Sequence, residues 1–183
     1  MHQAITVIFD RYSCRDFSPE PLSEEQIDTL VKAALAAPSA VNRQPWHIIA
    51  ITNKQLIDEM DAYALENIKA QSEEFYKRMM DRGGKIFYNA PCLIVIAKDN
   101  SDYATLDTGI VSQNIALAAH AMGLGSVICG MARSTLEGAK GEEFKKRIQL
   151  PEGYTFGMSV CVGTALSDKE PHELDMQKVT YIV

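Results

Sequence analysis

A chain of 183 residues, 46% hydrophobic and 23% charged, is long enough for one domain with a real core and too apolar for wholesale disorder. Lys and Arg number 18 against 24 Asp and Glu, a formal charge of −6, which lacks the basic footprint of a nucleic-acid binder. The four cysteines, Cys14, Cys92, Cys129 and Cys161, are scattered with no C-x-x-C spacing, so they read as reduced, buried thiols. The N-terminal stretch lacks the apolar run of a signal peptide, and the uncharged segment from Thr108 to Ala132 holds amides, a histidine and glycines unsuited to a membrane span. A cytoplasmic protein without membrane or nucleic-acid partners is expected.

Residues 3–12 place Ile5, Ile8, Phe9 and Tyr12 at helical spacing. A polar turn with two arginines follows. Ser23 with Gln26 then forms a capping box, and Ile27, Leu30, Val31, Ala34 and Leu35 form an apolar face behind it. Pro38 stops that helix, and PSAVNRQPW reads as a loop. HIIAIT (47–52) is a short strand. Residues 54–82 form one broken helix or two helices, ending at Gly83-Gly84. PCLIVIA (91–97) is a continuous apolar run of the kind buried on both faces of a sheet. Residues 104–122 form a helix apolar on several sides, hence central; Gly123 ends it. SVIC (126–129) and MSVCVG (158–163) are buried strands, and 141–149 an amphipathic helix with Phe144 and Ile148 inward. The closing VTYIV is expected to pair as an edge strand. No repeat or linker interrupts the chain, so residues 1–183 read as a single α+β domain, helices layered on a small sheet.

Hydrolytic and metal signatures are missing. There is no G-x-S-x-G, H-E-x-x-H or P-loop, and His2, His47, His120 and His172 lack ligand spacing. Gly123-Leu-Gly125 follows a helix and precedes a strand, the reverse of a dinucleotide fingerprint. No metal site is expected. The basic run Lys145-Lys146-Arg147 lies beside Glu142 and Glu143 and reads as a solvated helix face.

Two segments carry chemistry. In Arg11-Tyr-Ser13-Cys-Arg15 two guanidiniums and a hydroxyl can converge on one phosphate, because the planar fork of arginine donates to adjacent oxygens. In Pro38-Ser39-Ala-Val-Asn42-Arg-Gln44-Pro-Trp46 amide side chains sit in a loop stiffened by prolines, offering donors and acceptors to a heterocycle edge. Taken singly, the first equally describes surface arginines and the second an ordinary helix-to-strand loop.

Together, and in register with A-P-x-L-I-V-I (from Ala90), D-x-G-I-x-x-Q-N-x-x-L-A-A (from Asp107) and Ile128-Cys129-Gly130, they resemble the FMN-dependent nitroreductase family over nearly the whole chain. The resemblance implies a nitroreductase-like fold: a small mixed central sheet covered by helices, in an intertwined homodimer with FMN at the interface. It implies that Arg11, Ser13 and Arg15 hold the FMN phosphate and ribityl chain. Pro38, Ser39 and Asn42, with Gln44 in the same motif, reach the partner's flavin, and Cys129 and Gly130 face the N5 region of the ring. The arginine expected after the last strand is absent, which leaves Lys169 or His172 to take its place. The implied chemistry is ping-pong transfer from NADH or NADPH through the flavin to a small acceptor such as a nitroaromatic or quinone, without an amino-acid nucleophile. Phe75, Tyr76, Met79 and Met80 either line the acceptor slot or belong to the core. Dehalogenase, enoyl-type reductase or dehydrogenase chemistry, and a flavin-binding or storage protein without turnover, are the alternatives.

Overall fold

The computed structural model describes residues 3–183; His2 lies outside them. Local signals set most element boundaries. Helix α1 (Gln3–Asp10) ends before Tyr12, because the chain turns there into an extended segment. Helix α2 (Glu24–Leu35) begins on the expected capping box: the Ser23 hydroxyl accepts from Gln26 N–H at 3.2 Å, and the Gln26 side chain accepts from Ser23 N–H at 2.9 Å. Strand β1 (Trp46–Ile51) leads to α3 (Lys54–Gln71), capped by Asn53, and α4 (Glu73–Asp81), capped by Ser72. The break between these two helices thus coincides with a hydroxyl that satisfies the Phe75 amide.

Strand β2 (Cys92–Lys98), α5 (Ala104–Ala121), β3 (Gly125–Ile128), α6 (Arg133–Leu136), α7 (Gly141–Arg147) and β4 (Thr155–Gly163) complete the chain. The sheet order is β1-β2-β4-β3, with every neighbouring pair antiparallel. β2 and β3 both oppose β4 and therefore point the same way, with α5 crossing between them. Among the described residues, the parallel component of the expected mixed sheet is a single bridge, Ser13 to Ser126.

One face of the sheet packs Ile94, Ile96 and Val160 against Leu30 of α2 and Val111, Ile115 and Ala119 of α5. The other packs Leu93, Val95 and Cys161 against Ile57, Met60 and Ala64 of α3, with Met79, Leu136 and Phe144. β2 is buried along nearly its whole length, as its uninterrupted apolar run requires. Phe144 and Ile148 face inward as expected.

The expected apolar face of α2 is narrower than its spacing suggests: Leu30 and Ala34 are buried and Leu35 is exposed. α1 buries no residue, and Ile5, Ile8 and Phe9 present an open apolar face. The closing VTYIV is not a strand in the single chain: residues 179–183 are exposed and pair with no sheet edge. A strand exists only with a neighbour, and residues 179–183 find none within one chain.

Candidate functional site

The arginine segment is a strap across the end of the sheet. Cys14 N–H donates to the Ser126 carbonyl at 2.9 Å, and Phe17 bridges Ala165. Leu166 N–H donates to Asp16 O at 3.0 Å, and the Tyr12 hydroxyl donates to Ser167 O at 2.8 Å. The strap is therefore laced on one side to β3 and on the other to the segment leaving β4. That lacing brings the tail back over residues 11–15.

A cleft of about 120 Å³ results, lined by Arg11, Tyr12, Ser13, Arg15, Lys169, Glu170 and His172. Three permanent cations and one carboxylate face it. Arg11 Nε is sealed from solvent and has no hydrogen-bond partner, a donor in want of an acceptor. Arg15 Nη1 makes a long contact, 3.4 Å, to the Ser13 carbonyl. Burial, with Cys14 and Asp168 nearby, raises the Tyr12 phenol above its ordinary pKa. Beside the cleft an apolar hollow of about 490 Å³ lies between α1 and the tail, sharing Arg11 and His172 with it.

Behind Arg15 stands Tyr88, a buried residue in the left-handed region (φ 54°), followed by Asn89 at φ 59°. Burial raises its phenol, while a hydrogen bond and the charge of Arg15 pull the other way. The turn carrying Tyr88 is pinned by Asp61 of α3, whose Oδ1 accepts from Ile86 N–H at 2.7 Å and Phe87 N–H at 2.8 Å. Asp61 Oδ2 has no hydrogen bond and sees Lys85 Nζ at 3.7 Å.

At the end of β3 the Cys129 N–H donates to the Ser159 carbonyl at 2.8 Å, and the thiol faces the Ile86 carbonyl at 3.7 Å. A mutual hydrogen bond with Cys161 lowers the Cys129 pKa and raises that of Cys161. Both the thiol and the amide of Cys129 are thus engaged inside the protein, whereas Gly130 is exposed.

The amide-bearing loop lies elsewhere in the chain. Val41, Asn42 and Gln44 have φ of 48°, 55° and 52°, a conformation unusual outside glycine and least expected of β-branched Val41. Ser39 Oγ accepts from Gln44 N–H at 2.8 Å, and Gln44 Nε2 donates to Asn42 Oδ1 at 3.1 Å. From behind, Asp99 accepts from Arg43 at 3.4 Å and Asp107 of α5 accepts from Ala40 N–H at 3.4 Å. Val41 is 96% exposed at the loop tip.

Arg11, Ser13, Arg15, Lys169 and His172 are brought together within one chain, and both candidates for the missing arginine line the cleft. Pro38, Ser39, Asn42 and Gln44 are not among its lining residues. Of the Met and aromatic stripe on α4, Met79 is core, Phe75 and Tyr76 pack against it, and Met80 faces out. Sequence reading missed Glu170, Tyr88, Asp61 and Asp107 as neighbours of these segments. Of the four, only Asp107 lies within the motif series that marks the family resemblance.

The model of the Nitroreductase family matches residues 8–164. A crystal structure of a nitroreductase with bound FMN from Desulfitobacterium hafniense DCB-2 is 43% identical, with all of both chains covered and a TM-score of 0.96. An FMN-dependent nitroreductase from Clostridium difficile R20291 is 30% identical over 99% of each chain, with a TM-score of 0.84. An NADPH-flavin oxidoreductase from Vibrio harveyi is 29% identical over 89% of this chain and 66% of its own length.

Proposed function

Because this chain belongs to the nitroreductase family, we propose that it is an FMN-dependent oxidoreductase, taking electrons from NADH or NADPH and passing them to a small acceptor such as a nitroaromatic or quinone. The observation that carries the reading is the convergence of Arg11, Ser13 and Arg15 with Lys169 and His172 on one cleft. Its chemistry fits a phosphate: planar guanidinium donors, a hydroxyl, a lysine, and a buried Arg11 Nε lacking an acceptor.

In this reading Arg11, Arg15, Lys169 and His172 bind the phosphate, and Ser13 meets the ribityl chain. FMN supplies the hydride-accepting and electron-donating ring. Gly130, exposed where Cys129 turns inward, gives that ring a backbone surface. The Ser39–Gln44 loop would offer its Asn42 and Gln44 amides to the flavin of the partner subunit, with Pro38 stiffening its entry. Tyr88, which interacts with Arg15, would help hold that guanidinium toward the phosphate.

A homodimer is part of the proposal. The open apolar face of α1, the exposed Val41 tip and the apolar residues Leu174, Tyr181 and Ile182 of the tail are surface that one chain leaves uncovered and a second copy would bury. Intertwining of the two tails would give VTYIV the neighbour it lacks. The four free cysteines suit a reducing compartment, and a cytoplasmic location goes with them.

The test is the visible spectrum of the purified protein, before and after anaerobic NADH or NADPH. Flavin absorbance that bleaches with at least one nucleotide and returns on adding a nitroaromatic or quinone is expected. A protein that stays colourless after FMN is added overturns the reading. Lys169 and His172 in the cleft support phosphate binding without the arginine missing after the last strand, and flavin that binds but is bleached by neither nucleotide would favour a storage protein instead.

A further inference from the structure

Asp107 is a buried carboxylate to which the proposed chemistry assigns no task. It stands in the first turn of α5, 2% exposed. Its Oδ1 accepts from Ala40 N–H at 3.4 Å, the long end of a hydrogen bond. Its Oδ2 is sealed from solvent and has no partner. A buried carboxylate oxygen without a donor is costly, and proteins keep few of them.

The loop it touches is itself held in a costly shape. Three non-glycine residues between 41 and 44 are left-handed, and such residues persist where their surroundings over-determine them. The internal bonds of the loop, Gln44 N–H to Ser39 Oγ and Asn42 N–H to Ser39 O, close it on itself. Arg43 ties it to Asp99 beside the sheet. Asp107 ties it to the central helix, 67 residues away in sequence.

We propose that Asp107 is the positioning residue of this loop. Its hold on Ala40 N–H tightens, and its second oxygen gains a donor, when FMN fills the site that the loop faces in the dimer. Flavin occupancy and loop geometry are then coupled through one carboxylate that touches no flavin itself. The inference rests on the FMN reading above.

The experiment compares the wild-type protein with Asp107→Asn and Asp107→Ala. FMN affinity is measured by fluorescence quenching, and amide hydrogen exchange of the 38–45 segment is followed with and without FMN. In the wild type, FMN slows exchange of the loop amides. Asp107→Asn, which keeps an acceptor for Ala40 but loses the second oxygen, binds FMN about tenfold more weakly. Asp107→Ala binds it more weakly still. In both, the FMN-dependent slowing is lost while the apo proteins keep the wild-type far-ultraviolet spectrum. Wild-type loop exchange that is indifferent to FMN overturns the inference, whether or not the variants fold. Variants that bind FMN like the wild type also overturn it and leave the FMN reading standing. A wild type that binds no FMN overturns both.

Discussion

Cys14 lies directly over Gly125: a Cβ built on that glycine would stand 2.9 Å from the Cys14 sulfur and 3.0 Å from its Cβ. The arginine strap crosses β3 at a distance only glycine allows. Gly125→Ala should therefore lift the strap, costing about 1–3 kcal/mol as an overpacked contact does. Because the same shift carries Ser13 and Arg15, FMN affinity should fall with it. Thermal melts and FMN titration check this, and adding Cys14→Ala should recover part of both losses. An unchanged affinity in Gly125→Ala would separate the strap from the site.

Arg15→Ala should weaken FMN binding by at least tenfold, since a charge-assisted hydrogen bond contributes roughly 1.5–3 kcal/mol. Arg11→Ala should do the same, its Nε being buried and without an acceptor. Tyr88→Phe, which removes only the hydroxyl behind Arg15, should weaken binding less than either. Equal affinity across the series, read by fluorescence quenching, would exclude the cleft as the phosphate site.

Burial is the largest influence on Asp61. It raises the carboxyl above its ordinary 3.8, against the opposing pull of the Phe87 and Ile86 amides and of Lys85. The folded protein then binds this proton more tightly than the unfolded chain. Its contribution to stability is greatest below the unfolded pKa and declines as pH rises through the folded one. Asp61→Asn keeps an acceptor for both amides and cannot ionise, so its stability relative to wild type should improve as pH rises from 3.8 towards neutrality. Asp61→Ala leaves two buried amides unpaired and should cost about 1–3 kcal/mol for each. Denaturant unfolding across that pH range reads both. A wild-type-minus-Asn difference that does not vary with pH would contradict the assignment.

Burial alone pushes the Cys92 thiol up to about 12, so it stays protonated and unreactive at ordinary pH. With all four cysteines buried, the native protein should resist iodoacetamide at pH 8 and react fully once unfolded. Mass spectrometry of labelled peptides would show it. Rapid native labelling of Cys92 would mean that β2 opens locally.

Short stretches of chain encode the features that could be read before folding is considered. The Ser23–Gln26 box placed the start of α2, the unbroken apolar run placed the buried strand β2, and the α3–α4 break fell in a stretch already readable as two helices. The motif series named the family, whose model spans residues 8–164. These signals are local because caps and periodicity act over a few residues. The return of the tail to the strap is set by packing between distant segments. Tyr12 and Ser167 are 155 positions apart, and no spacing in the sequence announces that Lys169 and His172 both end at Arg11. The same packing also decided that Cys129 turns inward and that Asp107 sits buried under a loop 67 positions away. It left VTYIV unpaired, since an edge strand depends on a neighbour that one chain does not present. Contacts between distant segments are set by how the layers pack and where each strand's free edge lies, and that information is spread over the whole core.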